Sequence, residues 1–208
     1  LRSNRGNLFV VSAPSGAGKT TLCQSLGSVL PGIRHSVSYT TRKPRPSEVN
    51  DRDYTFVQEA EFRRMKEAGE FAEWAEVHGN LYGTSKKRID ELREGGTDVI
   101  LDIDTQGARK IRDVYKDGVY VFILPPSMGA LRERLQARMS DTEGEIEKRL
   151  RRARDEIADY RDYDYVIVNS VFEEALGELE AIVKAKRART ENIEQSWVEE
   201  RFLKEEEG

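Results

Sequence analysis

One segment, Val10-Val11-Ser12-Ala13-Pro14-Ser15-Gly16-Ala17-Gly18-Lys19-Thr20-Thr21, constrains the fold of this chain more than any other. An apolar run, Leu8–Val11, leads into it and a helical pattern near Lys19–Leu30 leads out. A strand that passes through small residues straight into a helix belongs to a layered α/β arrangement. Small residues let consecutive backbone N–H groups curl around phosphate oxygens, and the N-terminus of the following helix adds its partial positive charge. The pattern predicts a phosphate-binding loop over Ala13, Pro14, Ser15, Gly16, Ala17, Gly18, Lys19, Thr20 and Thr21, with Lys19 reaching the β- and γ-phosphates of a nucleotide and Thr20 holding Mg2+. One position departs from G-x-x-x-x-G-K-[ST]: Ala13 stands where the first glycine is expected. A methyl group fits there when φ is negative.

The rest of the chain alternates short β-branched runs with helical patterns, which predicts a mainly parallel sheet covered by helices on both faces. Strands are expected at Leu8–Val11, Val99–Ile103, Val119–Leu124 and Val166–Val168. Helices are expected near Lys19–Leu30, Gln106–Tyr115, Met128–Arg138, Glu145–Tyr160 and Phe172–Ala188. Asp102 falls at the end of a central strand, where a carboxylate can approach a nucleotide-bound metal, and Asp104 projects the same way if the strand continues. The alternative for both is capping of the helix that begins near Gln106.

Residues 36–95 have a different pattern and read as an inserted small α+β lobe. Arg42-Lys43-Pro44-Arg45-Pro46 cannot be regular helix. Alternating segments follow near Tyr54–Val57 and Glu70–Val77, with an amphipathic turn between them. Strict alternation puts Phe71, Glu73, Ala75 and Val77 on one face, so Glu73 is a carboxylate among apolar neighbours: either an internal salt bridge or a ligand contact. Near the C-terminus, Ile193, Trp197, Val198 and Phe202 recur at helical spacing, which predicts a final helix packed on the body or on a second copy, ending in an acidic Glu205-Glu206-Glu207 tail.

Charge narrows the ligand. Residues 1–50 hold seven Lys and Arg against Glu48 alone, a net +6, which leaves −10 for the rest of a 208-residue chain whose total is −4. Overall acidity argues against a nucleic-acid coat, while a local basic cluster suits a small phosphorylated molecule. No apolar run approaches the roughly 20 residues of a membrane-spanning helix, so a soluble, unexported, cytoplasmic protein is expected. Cys23 is the only cysteine, which excludes an intrachain disulfide and a thiolate zinc cluster, and its helical apolar setting reads as core. His35 and His78 are too isolated to suggest a metal site.

With the loop placed, the remaining segments resemble the guanylate kinase family over nearly the whole chain. The residues that carry the resemblance are Ser36-Val37-Ser38-Tyr39-Thr40-Thr41-Arg42-Lys43-Pro44-Arg45-Pro46-Ser47-Glu48, Asp53-Tyr54-Thr55-Phe56-Val57, Phe71-Ala72-Glu73-Trp74-Ala75, Gly79-Asn80-Leu81-Tyr82-Gly83-Thr84, Leu101-Asp102-Ile103-Asp104-Thr105-Gln106-Gly107 and Val166-Ile167-Val168-Asn169. The resemblance implies transfer of the γ-phosphoryl of ATP to GMP or dGMP with Mg2+. It implies a P-loop core (1–35, 96–130 and 162–190), a GMP-binding lobe (36–95), a helical lid (131–161) and a C-terminal helix (191–208). By resemblance, Arg42, Arg45, Tyr54 and Tyr82 hold the GMP phosphate, Glu48 belongs to the GMP site, Glu73, Ser38 and Thr84 read guanine, and Asp104 completes that site. Asp102 joins Thr20 near the metal, directly or through water.

The same resemblance assigns Arg138 and Arg149 of the lid, with Arg134 as a third candidate, to the ATP phosphates, and Asn169 to adenine. The run Lys148-Arg149-Leu150-Arg151-Arg152-Ala153-Arg154 otherwise reads as a solvated helix face. Two departures stand out: Arg138-Met139-Ser140-Asp141 lacks the glycine of the family's Arg-Gly-x-[DE], and Ser170 replaces an acid after Asn169. A guanylate-kinase-like interaction module that has lost catalysis is the competing reading, and the intact Lys19, Thr20, Arg42, Arg45 and Asp102 argue against it. Glu73 argues against an enzyme for another phosphorylated sugar or nucleotide. Self-association through the Trp197 and Phe202 stripe is expected.

Overall fold

The computed structural model describes residues 5–46, 48–77, 79–137 and 142–204. Its centre is a five-stranded parallel sheet of β1 (Leu8–Ser12), β2 (Ile33–His35), β7 (Asp98–Asp102), β8 (Val119–Leu124) and β9 (Tyr165–Val168), in the order β2-β7-β1-β8-β9. Every residue of central β1 is buried, because both faces are covered. On one face Phe9, Val11, Ile100, Val121 and Ile123 meet Leu22 and Leu26 of α1 (Lys19–Val29) and Leu179 and Val183 of α7 (Phe172–Arg187). On the other, Leu8, Val10, Val99 and Leu101 meet Ile89 of α3 (Lys86–Glu94) and Ala108 and Ile111 of α4 (Thr105–Val114). Each such side chain contributes about 1.5–3 kcal/mol by leaving water, which makes β1 the anchor of the fold. Cys23 lies fully buried in the first cluster.

Parallel strands end on the same edge of the sheet, so Ser12, Asp102, Leu124 and Val168 open onto one crevice, the place where open α/β sheets bind ligands. The four strands and five helices expected of the sheet and its cover are present, with ends shifted by no more than two residues. The three-residue β2 was not legible, since Ile33-Arg34-His35 is too short to show a period.

The inserted residues form a second sheet of β3 (Tyr39–Thr40), β4 (Thr55–Phe56), β5 (Phe71–Val77) and β6 (Asn80–Ser85), ordered β4-β3-β6-β5. The expected amphipathic turn is the helix α2 (Glu59–Glu67), whose Phe62 and Met65 pack on Phe71 and Leu81, with Trp74 alongside. The expected common face for Phe71 and Glu73 is not realised. The β5–β6 register shifts between Phe71 and Glu73, so Glu73 lies opposite Thr84 and Trp74 opposite Gly83. A bulge inserts one unpaired residue and reverses the alternation. Phe71 and Trp74 therefore join the α2 face, and Glu73 turns to the opposite one with Thr84. Within the 36–95 span, α3 packs against the parallel sheet through Ile89.

Beyond β8, α5 (Met128–Gln136) and α6 (Glu143–Ala158) pack on each other through Leu131, Leu135, Ile146, Leu150 and Ala153. A capping box starts α6: the Thr142 side chain accepts from Glu145 N–H while the Glu145 carboxylate accepts from Thr142 N–H at 2.7 Å. Among the described residues, 190–204 do not form the expected single packed helix. A 3-10 turn (Thr190–Asn192) is followed by one α-turn, Gln195–Val198, and a π-turn, Glu199–Leu203. Trp197 and Phe202 contact each other edge to face, 5.5 Å between centroids, and Phe202 and Leu203 are exposed. The Glu205-Glu206-Glu207 tail lies outside the described residues. No helix among the described residues is long and apolar enough to cross a membrane.

Candidate active site

The loop between β1 and α1 turns on two glycines, Gly16 (φ 97°) and Gly18 (φ 93°), in a region that L side chains rarely adopt. Ala13 is not among the residues with positive φ, so its methyl group costs the loop nothing. The helix that follows starts at Gly18 with no side-chain cap and no acid in its first turn, which leaves its N–H groups for an anion. Packing presses on the loop from two sides. Leu131 and Leu135 of α5 lie where a Cβ on Gly16 would go, and Asn169 Nδ2 would be 2.5 Å from a Cβ on Gly18. Asn169 Nδ2 donates to Ala17 O at 2.8 Å, and Arg134 Nη2 donates to Asn169 O at 2.8 Å. The structure thus places Arg134 and Asn169 as braces of the phosphate loop.

Lys19 extends to the end of β7, where Nζ donates to Ile103 O at 2.9 Å and pairs with the Asp102 carboxylate. Burial opposes ionisation of Asp102, but Lys19, by charge and hydrogen bond, and the Thr20 hydroxyl outweigh it and hold the carboxyl below its ordinary pKa. Lys19, Thr20 and Asp102 therefore form one charged cluster beside the loop. Next to it His35 Nε2 and Ser36 Oγ are buried without a hydrogen-bond partner.

Asp102 and Asp104 do not share a strand. The strand stops at Asp102, and Asp104 is the N-cap of α4, its Oδ1 accepting from Gly107 N–H at 2.8 Å. The capping alternative is the one realised for Asp104. Gly107 has a further use: a Cβ there would come 3.3 Å from Glu73 Oε2 and 3.4 Å from Asp104 Oδ1. The missing side chain lets two carboxylates approach the N-terminus of α4, whose dipole favours both. Glu73 is 8% exposed and accepts from Thr84 Oγ1 at 2.7 Å. Burial raises its pKa, partly offset by the Thr84 hydrogen bond, and the Asp104 charge raises it further.

On the same lobe, Arg42 Nη2 pairs with Glu48 Oε1 at 2.7 Å, while Glu48 Oε2 accepts from Arg45 N–H at 2.8 Å. The Arg42 guanidinium lies 5.4 Å from the Tyr54 ring centroid, and Tyr54 meets Tyr82 edge to face at 5.9 Å. Hydrogen bonding to Glu48 chiefly, and to Tyr82, raises the Arg42 pKa. Arg42, Glu48, Tyr54 and Tyr82 thus form one cluster, with Arg45 exposed at its rim. Ser38 enters through its backbone, its carbonyl accepting from Thr55 N–H at 2.9 Å just before β3. Arg138 lies outside the described residues. Arg149 sits half-buried on α6, where its charge helps to lower the pKa of Glu145.

Two groups near the loop escaped the sequence reading. Arg152 Nη2 stands 4.0 Å from Asp104 Oδ2, and Glu156, bound to Arg152 Nε at 2.9 Å, lies against the loop at Ser15. Both sit in a charged run that looks solvated, and only their i, i+4 spacing on α6 marks them as a pair. A cavity of about 620 Å³ lies at the other end of the sheet, where its cations already pair with its own acids, Arg93 with Asp117 and Lys186 with Glu191.

The guanylate kinase family model matches residues 5–186. A guanylate kinase of Geobacter metallireducens is 54% identical over 197 residues, covering 95% of this chain and 97% of that protein. One from Geobacter sulfurreducens is 53% identical over 188 residues, covering 90% and 93%. Among solved structures, the crystal structure of guanylate kinase from Anaplasma phagocytophilum aligns over 99% of this chain and 100% of that one, with a TM-score of 0.78 and 36% identity.

Proposed function

The chain belongs to the guanylate kinase family and phosphorylates GMP at the expense of ATP, and we propose that the residues along the crevice divide that reaction between them. A phosphate monoester has a second pKa of about 6, so near pH 7 the GMP phosphate already carries an anionic nucleophile. No side-chain base is needed. One of its oxygens forms a bond to the γ-phosphorus of ATP while the bond from that phosphorus to the bridging oxygen breaks, and ADP leaves with the electron pair. The protein's work is alignment and charge neutralisation.

For ATP, the free backbone N–H groups at the start of α1 and Lys19 face the phosphates, with Arg134 and Asn169 holding the loop in shape. Lys19 is tied to Asp102 and Ile103 O, so incoming phosphate oxygens compete for a cation that is already in place. Thr20 and the ionised Asp102 are two hard oxygen donors next to the loop. They fit Mg2+, which takes few protein ligands and completes its shell with phosphate and water oxygens, and which when bound neutralises phosphate charge. Arg149 and Arg138 belong to the lid that closes over these phosphates.

For GMP or dGMP, Arg42 and Arg45 supply guanidiniums to the phosphate, with Tyr54 and Tyr82 as neutral donors and Glu48 holding the Arg42 guanidinium and the Arg45 backbone N–H in place. Guanine presents N1–H and N2–H as adjacent donors, which the Glu73 carboxylate accepts together, while Thr84 and Ser38 complete the base site and Asp104 its rim. Adenine has an acceptor at N1 and meets the carboxylate lone pair instead. The observation that carries this reading is Glu73 itself, a buried carboxylate that accepts from the Thr84 hydroxyl and keeps capacity for two further donors.

The core, lobe (36–95) and lid (131–161) are the working divisions in this account, in a cytoplasmic setting. The exposed Phe202 and Leu203 beside Trp197 support self-association. Lys19→Met tests the ATP half: turnover falls below detection while the protein still unfolds cooperatively, at a lower temperature than the parent because Asp102 loses its partner. A variant that keeps turning over removes the loop from the mechanism.

A further inference from the structure

The run Lys148–Arg154 places five cations on α6, and most of them face solvent. Arg152 is itself 57% exposed, yet its head group also reaches inward. Its Nε donates to Glu156 Oε1 at 2.9 Å, one turn on, and its Nη2 stands 4.0 Å from Asp104 Oδ2, across the gap between the lid helix and the N-terminus of α4. Glu156 is only 13% exposed, and Ser15 N–H of the phosphate loop faces its carboxylate, whose Oε2 is buried without a completed hydrogen bond. The guanidinium therefore lies between Ser15, on the ATP side, and Asp104, on the GMP side.

A solvent-exposed pair at 4.0 Å is weak, so Asp104 does not hold Arg152 firmly. Glu156 does more: it fixes the stem by a charge-assisted hydrogen bond and leaves the outer fork free to swing. We propose that Arg152 is a further catalytic residue of this site, whose guanidinium passes from Asp104 to the phosphoryl group in transit between the two nucleotides. Its contribution is electrostatic. It forms no covalent bond and moves no proton; its planar fork spans two equatorial phosphoryl oxygens as charge develops on them. Glu156 is the positioning residue that keeps the fork aimed at the gap, and the contact with Asp104 marks the resting position.

The inference rests on the assignment of Lys19 and Asp104 to the two nucleotide sites, and kinetics separates the two claims. Initial rates of ADP release are measured for Arg152→Gln, Arg152→Lys and Arg151→Gln, the last being an exposed neighbour. Because the side chain is partly solvated, Arg152→Gln is expected to lower kcat about 10- to 100-fold, below the loss typical of a fully buried donor. The KM values for ATP and GMP stay within about threefold, since the contact is made only in the transition state. Arg152→Lys, which keeps the charge but not the fork, falls between the two, and Arg151→Gln runs at the parent rate. If Arg152→Gln melts below the assay temperature, the intermediate kcat of Arg152→Lys decides. A kcat within twofold of the parent in Arg152→Gln or, if that variant is unfolded, in Arg152→Lys, or an equal loss in Arg151→Gln, overturns the proposal. Retained activity in Lys19→Met would overturn the site reading beneath it.

Discussion

Glu73→Gln exchanges one carboxylate oxygen for an amide nitrogen at almost constant volume, so it separates recognition from packing. In the parent, Oε1 accepts from Thr84 Oγ1 at 2.7 Å in a pocket that leaves the side chain 8% exposed. A glutamine keeps one acceptor oxygen, and its NH2 group then faces a guanine donor. The lost charge-assisted hydrogen bond accounts for about 2–3 kcal/mol, equivalent to a rise of roughly 30- to 150-fold in the KM for GMP. The KM for ATP should be unchanged. Stability should move the other way. Because burial raises the Glu73 pKa, the stability tied to this group is present below the ordinary carboxylate range and is lost as pH rises through the raised folded value. The neutral glutamine removes that loss, so the variant should melt higher than the parent at pH 8, and the difference should shrink on acidification. In the parent, acidification through the same range should weaken GMP, because a protonated carboxyl accepts only one of the two donors. Coupled ADP-release kinetics and melts at pH 5.5 and 8 read out all of this. An unchanged KM for GMP, or a variant that melts lower than the parent at pH 8, would refute the reasoning.

Two further substitutions separate the loop from the scaffold. Gly18→Ala places a Cβ at φ 93° and 2.5 Å from Asn169 Nδ2, so the asparagine must give up its hydrogen bond to Ala17 O. The strain of about 1–2 kcal/mol should raise the KM for ATP roughly tenfold and spare GMP; an unaltered ATP response contradicts the bracing role of Asn169. Arg93→Met acts far from the crevice: Arg93 is 2% exposed, donates from Nε to Gly6 O at 2.9 Å and pairs with Asp117. Because Asp117 stays half in water, the cost is that of the orphaned carbonyl and lost pair, about 2 kcal/mol or a fall of some 4–8 °C in Tm, with kinetics intact below the transition. A kinetic defect without a stability loss would reverse that assignment.

The parallel sheet was legible because its strands are buried on both faces and read as continuous apolar runs, as Leu8–Val11 and Val119–Leu124 do. The phosphate loop was legible because glycines at positive φ leave a signature at fixed spacing. Other parts were not. The bulge at Phe71 to Glu73 depends on pairing with β6, a non-local contact, so strict alternation put Phe71 on the wrong face while still singling out Glu73. Asp104 turned from strand residue to helix cap because α4 begins one residue after it. The C-terminal stripe kept its helical spacing, yet Phe202 found Trp197 rather than the core. Arg152 and Glu156 were hidden by composition, since within a run of charges nothing local distinguishes the two side chains that tertiary packing brings to Ser15 and Asp104.

Selection of the acceptor by a buried carboxylate that takes two guanine donors is open to direct test. The direct measurement is ADP release by the parent protein with ATP and Mg2+, compared across GMP, dGMP, AMP, UMP and dTMP. Turnover is expected with GMP and dGMP, and a kcat/KM for AMP lower by about 10⁴ or more, because a buried acceptor is left facing an acceptor. Equal kcat/KM for GMP and AMP would contradict it.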